Sequence, residues 1–280
     1  MTFEMGIDTF GDVTTGPDGQ PLPHDAVLRD VVEEAVVADQ AGLDFIGLGE
    51  HHRVDFAISS PEVLLGARYG RRLHFWDLHK RKHLQTIDFG DKYQLVFELR
   101  PAHDPTKAYG FVNCVISLEN LSSSIWTWYR DGDKWAVRKV IEIPAEPASE
   151  DDLPPLLKGF KACPPLVTDI DLSMDDKVLY VACWGTGDLQ QYDVSDPMNP
   201  KLTGKVRIGG IVSRAAHPSG SGPLSGGPQM VEVSRDGKRV YFTNSLYGAI
   251  DPQFYPDGIE GWMVKLDAAP AGGVAFDPKF

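Results

Sequence analysis

The chain has 280 residues, 42% of them hydrophobic and 24% charged, which supplies a sizeable core and is too apolar for a disordered chain. Forty Asp and Glu against 27 Lys and Arg leave a formal net charge of −13, which disfavours non-specific attraction to nucleic acid or to an anionic membrane. No apolar run approaches the roughly 20 residues of a membrane-spanning helix; the acidic start MTFEMGIDTFGD lacks the features of a secretory signal; and the scattered Cys114, Cys163 and Cys183 fit neither a disulfide framework nor a structural zinc site, so a cytoplasmic protein with reduced thiols is expected.

Charge is uneven along the chain. Residues 1–62 carry 13 acids and two bases, Arg29 and Arg53, while the remainder is near balance, which reads as a change of domain origin. Phe3 to Asp8 is predicted as a strand, and TTGPDGQPLPHD as a turn-rich loop ending in Asp25 as helix N-cap. In the helix that follows, Val27, Leu28, Val31, Val32, Ala35, Val36 and Ala38 fall on one stripe, with Asp30, Glu33, Glu34 and Asp39 opposite. Gly42 stops it. Leu43 to Leu48 is a second apolar run, which makes a β-α-β unit, and Gly49-Glu50-His51-His52-Arg53 follows.

From about residue 63 the helical period gives way to short strands and turns: LHFWDL at 73–78, YQLVFEL at 93–99, GFVNCVIS at 110–117 and SIWTWYRDGDKWAVRKVIEI at 124–143. Residues 170–181 align without a gap on 231–242, each an alternating strand, an Asp-Asp or Asp-Gly turn and a second alternating strand. Residues 63–78 align in the same way on 179–194. Repeats of roughly 40–60 residues made of antiparallel strands point to propeller blades more than to a sandwich. The glycine-rich GGPQM and SGSGPLSGG lack a lysine and a following helix, so a phosphate loop is not expected.

Met5-Gly6-Ile7-Asp8-Thr9-Phe10-Gly11-Asp12, the acidic helix and Gly49-Glu50-His51-His52-Arg53 resemble, over about residues 3–62, the N-terminus of the luciferase-like flavin-dependent monooxygenases. Those are (β/α)₈ barrels of about 250 residues; with two of the eight strands present, bound FMN is not expected. RYGRRLHFWDL, ELRPAHDPTKAYGFV, LPPLLKGF, the long run PPLVTDIDLSMDDKVLYVACWGTGDLQQYDVSDPMNPKLTG and GGPQMVEVSRDGKRVYFTNSLYG resemble, over residues 63–280, the selenium-binding protein and methanethiol oxidase family. The resemblance implies a mainly β fold, about four blades of a seven-bladed β-propeller after a short β-α-β segment. It also implies copper-dependent oxidation of methanethiol with oxygen and water to formaldehyde, hydrogen sulfide and hydrogen peroxide, the partner being a small-molecule thiol or selenium species.

The family's paired-histidine motif, its selenium-binding cysteine and its final histidine-bearing strand have no counterpart here, so the expected activity is impaired. A non-catalytic propeller remnant or interaction module, and a flavin monooxygenase, stand as alternatives. The two resemblances meet near Ser60 to Gly66, as a fusion would. The oligomeric state is open.

Four residues carry the candidate chemistry. His51 and His52 beside Glu50 suit a flavin-type loop or metal ligation, against ordinary strand-end residues. His103, in Arg100-Pro101-Ala102-His103-Asp104-Pro105, is the candidate copper ligand, an imidazole held by a neighbouring carboxylate, against a turn in which Asp104 closes an Asx-turn. Cys183, alternating with Val181 in a blade strand, is the candidate selenium or thiol residue if it faces a central channel, against a small buried apolar side chain.

Overall fold

Alternating apolar residues separated by Asp- and Gly-rich turns fold into antiparallel meanders through most of this chain. The computed structural model describes residues 6–9, 11–43, 45–48, 70–77, 82–104, 106–212, 215, 224–244, 248, 250–269 and 272–280. The chain divides into two units, Met1–Arg68 with Arg72–Thr86, and Tyr69–Arg71 with Ile87–Phe280.

In the first unit, β1 (Gly6–Thr9), α1 (His24–Gln40) and β2 (Phe45–Leu48) form the expected β-α-β, with β1 and β2 parallel and Gly6 opposite Phe45. Pro23, not Asp25, is the N-cap. Asp25 lies in the first turn, where its carboxylate suits the positive end of the helix, and pairs with Arg29 at 2.8 Å. The C-terminus closes as a Schellman motif around Gly42 at φ +78°: Gly42 N–H donates to Asp39 O and Leu43 N–H to Ala38 O, a geometry that favours glycine. Of the predicted stripe, Val27, Val31 and Ala38 are buried, while Val32 and Val36 are exposed. A ribbon of two strands about 4.8 Å apart covers a narrower strip of helix than a full sheet does. The same unit holds β3 (Arg72–Asp77) and most of β4 (Lys82–Asp88), which form a two-stranded sheet.

The second unit begins with the meander β5 (Tyr93–Pro101), β6 (Tyr109–Ser117), β7 (Ser123–Asp131) and β8 (Lys134–Ile143). A short ribbon of β9 (Glu146–Pro147) and β10 (Ala162–Cys163) leads to the second meander: β11 (Val167–Leu172), β12 (Val178–Cys183), β13 (Asp188–Asp193) and β14 (Lys201–Arg207). The third comprises β15 (Val231–Val233), β16 (Arg239–Thr243), β17 (Met263–Ala268) and β18 (Val274–Phe276), with α2 (Asp251–Phe254) between β16 and β17. The first sequence repeat falls strand for strand on β11–β12 and β15–β16. The second places β3 on β13, so β3 and β4 correspond to the outer pair of a four-stranded sheet.

The period of two along β12 explains how the sheets stack. Leu179, Val181 and Cys183 point into a cluster with Phe111, Ile125 and Ile141 of the first sheet. Tyr180 and Ala182 point the other way, into a cluster with Val231, Val240, Phe242 and Leu266 of the third. The middle sheet is therefore buried on both faces, and each fully buried Leu, Ile or Val contributes about 1.5–3 kcal/mol. Four-stranded antiparallel sheets stacked face to face in chain order are the blades of a partial β-propeller.

Loops close one end over a third cluster, in which Trp184 and Tyr255 pack edge to face at 4.8 Å and Tyr255 Oη donates to Trp184 O at 2.5 Å. The GGPQM glycines serve this packing: a Cβ on Gly227 would collide with Trp184 O, and one on Gly209 with Gly226 O.

Candidate functional site

The loop after β5 carries His103, and the turn between β11 and β12 places Asp176 against it. Asp176 sits in the left-handed region at φ +60°, which an aspartate tolerates better than most residues. Its Oδ1 accepts the backbone N–H of His103 at 2.7 Å and lies 3.1 Å from His103 Nδ1. Its Oδ2 accepts Asp104 N–H at 3.2 Å and Lys107 Nζ at 3.3 Å. Burial raises the Asp176 carboxyl, but the N–H groups of His103 and Asp104, the His103 ring and Lys107 together hold it below the usual carboxylate value. An ionised carboxylate only accepts hydrogen bonds, so Nδ1–H donates to Asp176 and Nε2 is the ring nitrogen turned away from it. The His103 side chain is 34% exposed. The ring is thus oriented and partly open to solvent. The expected Asx-turn forms as well: Asp104 Oδ1 accepts Thr106 N–H at 3.0 Å and Thr106 Oγ1 at 2.7 Å.

Beside this loop lies a charged node that the sequence reading did not single out. Arg100 on β5 reaches Glu98 Oε2 at 2.8 Å, Asp169 Oδ1 at 3.3 Å and Asp171 Oδ1 at 3.4 Å. Asp169 and Asp171 are on the face of β11 opposite Ile170 and Leu172, and their other oxygens accept Val231 N–H at 2.6 Å and Val233 N–H at 2.7 Å. Acidic residues alternating with apolar ones along a strand buried throughout were the available signal.

The other predicted residues fare differently. His51 and His52 lie outside the described residues. Cys183 does not face an open channel: it is fully buried in the apolar cluster with Val181, because residues two apart on a strand share a face. Burial pushes its thiol well above the ordinary value, which disfavours the thiolate in the closed cluster. Cys114 and Cys163 are also buried, their thiols pushed up to about 12 chiefly by burial. His74 and His83 share the Thr86 hydroxyl at 2.8 Å each; burial foremost, with His83 and Arg72 nearby, lowers the His74 pKa. Among the described residues no three His, Cys, Asp or Glu side chains are grouped to hold a metal ion. They therefore do not make a copper site; His103 Nε2 is a single candidate ligand.

Comparison with known proteins gives concordant matches. The family model described as 56kDa selenium binding protein (SBP56) matches residues 57–280. Methanethiol oxidase of Homo sapiens is 39% identical over 243 residues, covering 79% of this chain and 48% of the relative. Methanethiol oxidase of Pongo abelii is 39% identical over 312 aligned residues, covering 99% of this chain and 63% of the relative. The X-ray structure of a hypothetical selenium-binding protein from Sulfolobus tokodaii superposes with a TM-score of 0.74 at 59% identity, over 77% of this chain and 47% of that one. The chain thus spans about half to two thirds of the length of these relatives. These comparisons give no support to the luciferase-like resemblance of residues 3–62.

Proposed function

Since the chain belongs to the 56 kDa selenium binding protein family, we propose that it is an oxidoreductase of the methanethiol oxidase type, acting on a small thiol. The reaction is CH₃SH + O₂ + H₂O → HCHO + H₂S + H₂O₂, in which the methyl carbon is oxidised, the C–S bond breaks and oxygen takes up the two electrons. The observation that carries this reading is the 39% identity to the Homo sapiens methanethiol oxidase across 79% of this chain. In this reading His103, held on Nδ1 by Asp176, presents Nε2 to the reaction space as a ligand nitrogen or proton acceptor. A protein in an intracellular, reducing compartment fits the three free buried thiols.

The test is direct. Purified protein supplied with methanethiol is expected to consume oxygen and to release formaldehyde, sulfide and peroxide in equal amounts. His103→Ala is expected to lower the rate at least about a hundredfold, the lower end of acid-base contributions. A preparation with correct far-ultraviolet circular dichroism that consumes no oxygen, with or without added copper, overturns the proposal.

A further inference from the structure

Along β3, Leu73 and Phe75 are buried, at 0% and 3% exposure, and the period of two sends His74 and Trp76 to the other, more open face of the strand. From β4, His83 and Thr86 reach the same place, and both are exposed. His74 Nδ1 and His83 Nε2 each lie 2.8 Å from Thr86 Oγ1. Two imidazole nitrogens on paired strands thus converge on a single oxygen.

A hydroxyl has one proton to give, so Thr86 satisfies the lone pair of one ring nitrogen at most, and the other ring must turn an N–H toward the oxygen. A divalent cation at this junction takes both lone pairs at once. The spacing admits it. A zinc ion held about 2.0–2.1 Å from an imidazole nitrogen lies roughly 3.2 Å from the ring centre, and the His74 and His83 ring centres are 6.0 Å apart, within reach of one ion. Trp76 meets the His83 ring edge to face at 5.2 Å and helps to hold it. Burial foremost, with His83 and Arg72 nearby, lowers the His74 pKa, in keeping with a neutral ring able to ligate.

We propose that His74 Nδ1 and His83 Nε2 form a surface site for a divalent transition-metal ion of the zinc class, which clips β3 to β4. Imidazole nitrogen suits zinc, whereas magnesium and calcium call for oxygen ligands. Two protein ligands fall short of the three of a catalytic zinc site, and among the described residues no third His, Cys, Asp or Glu joins them. Water therefore completes the coordination, and the affinity is moderate. Ligation places the remaining proton of each ring on its outer nitrogen, His74 Nε2 and His83 Nδ1. The role of the ion is structural: β3 and β4 form a sheet of two strands, an arrangement of marginal stability by itself, and an ion that needs both strands in place stabilises their pairing. None of the residues assigned to the thiol reaction takes part.

The experiment titrates the metal-free whole chain with zinc chloride at neutral pH, by calorimetry and by amide hydrogen exchange. A binding event of one zinc per chain is expected, with a dissociation constant in the micromolar range, and none with magnesium chloride. His74→Ala and His83→Ala are each expected to weaken it at least about tenfold, since even the partners of ligating histidines are worth that much. Zinc is expected to slow exchange along β3 and β4 in the wild type and in neither variant. If a variant does not fold, the exchange along β3 and β4 of the wild type with and without zinc decides. Zinc binding that both variants retain in full, or exchange along β3 and β4 that zinc leaves unchanged in the wild type, overturns the proposal.

Discussion

Asp176 Oδ1 accepts the backbone N–H of His103 at 2.7 Å and lies 3.1 Å from its ring Nδ1, so a turn residue of the second sheet fixes the histidine of a first-sheet loop 73 positions away. Asp176→Ala removes the acceptor for four donors and leaves two backbone N–H groups unpaired. The expected loss is about 2–3 kcal/mol, with faster amide exchange at His103 and Asp104. Asp176→Asn, which keeps one acceptor oxygen, is expected to lose less, as read by urea unfolding and exchange rates.

The same carboxyl sets an acid limit. Its folded-state pKa lies below the ordinary value, so its contribution is present above about pH 4 and disappears as pH falls through the lowered value. A titration of stability toward acid is expected to show a steeper decline for the wild type than for Asp176→Asn. Equal slopes would remove Asp176 as the cause.

Asn113 is fully buried. It accepts Phe97 N–H at 3.2 Å and Glu98 N–H at 2.7 Å where the register of β5 against β6 shifts, and donates to Val167 O at 2.8 Å at the start of β11. Asn113→Ala is expected to cost about 3 kcal/mol or more, because two donors and one acceptor are left buried without this partner. Equilibrium unfolding in urea measures it.

Gly227 approaches Trp184 O so closely that a Cβ has no room. Gly227→Ala is expected to destabilise by about 1–3 kcal/mol through backbone displacement, and to shift the fluorescence of Trp184, which is 1% exposed. A variant with wild-type midpoint and emission would show that the two backbones separate freely.

The three thiols are buried, and burial pushes those of Cys114 and Cys163 up to about 12, which disfavours the reactive thiolate near neutral pH. Iodoacetamide is expected to leave the native protein unmodified and to add three groups in urea, as read by intact mass. Rapid labelling of one native thiol would identify a cysteine exposed by local opening.

By itself the sequence determined the local elements. The β-α-β unit, the halt at Gly42 and the two internal repeats follow from periods of 3.6 and 2 and from turn residues, and all of these are set by neighbours a few positions apart. It also carried the family, through long runs of residues matched in order. Only the tertiary structure decided which face of each strand met which sheet. Alternation shows that Val181 and Cys183 share a side, but the stacking of sheets makes that side a closed apolar cluster. Likewise, nothing local ties Asp176 to His103, or Asp169 to Arg100 and Val231. Those partners meet because consecutive sheets pack face to face, and the separation of their positions along the chain leaves no periodic trace to read.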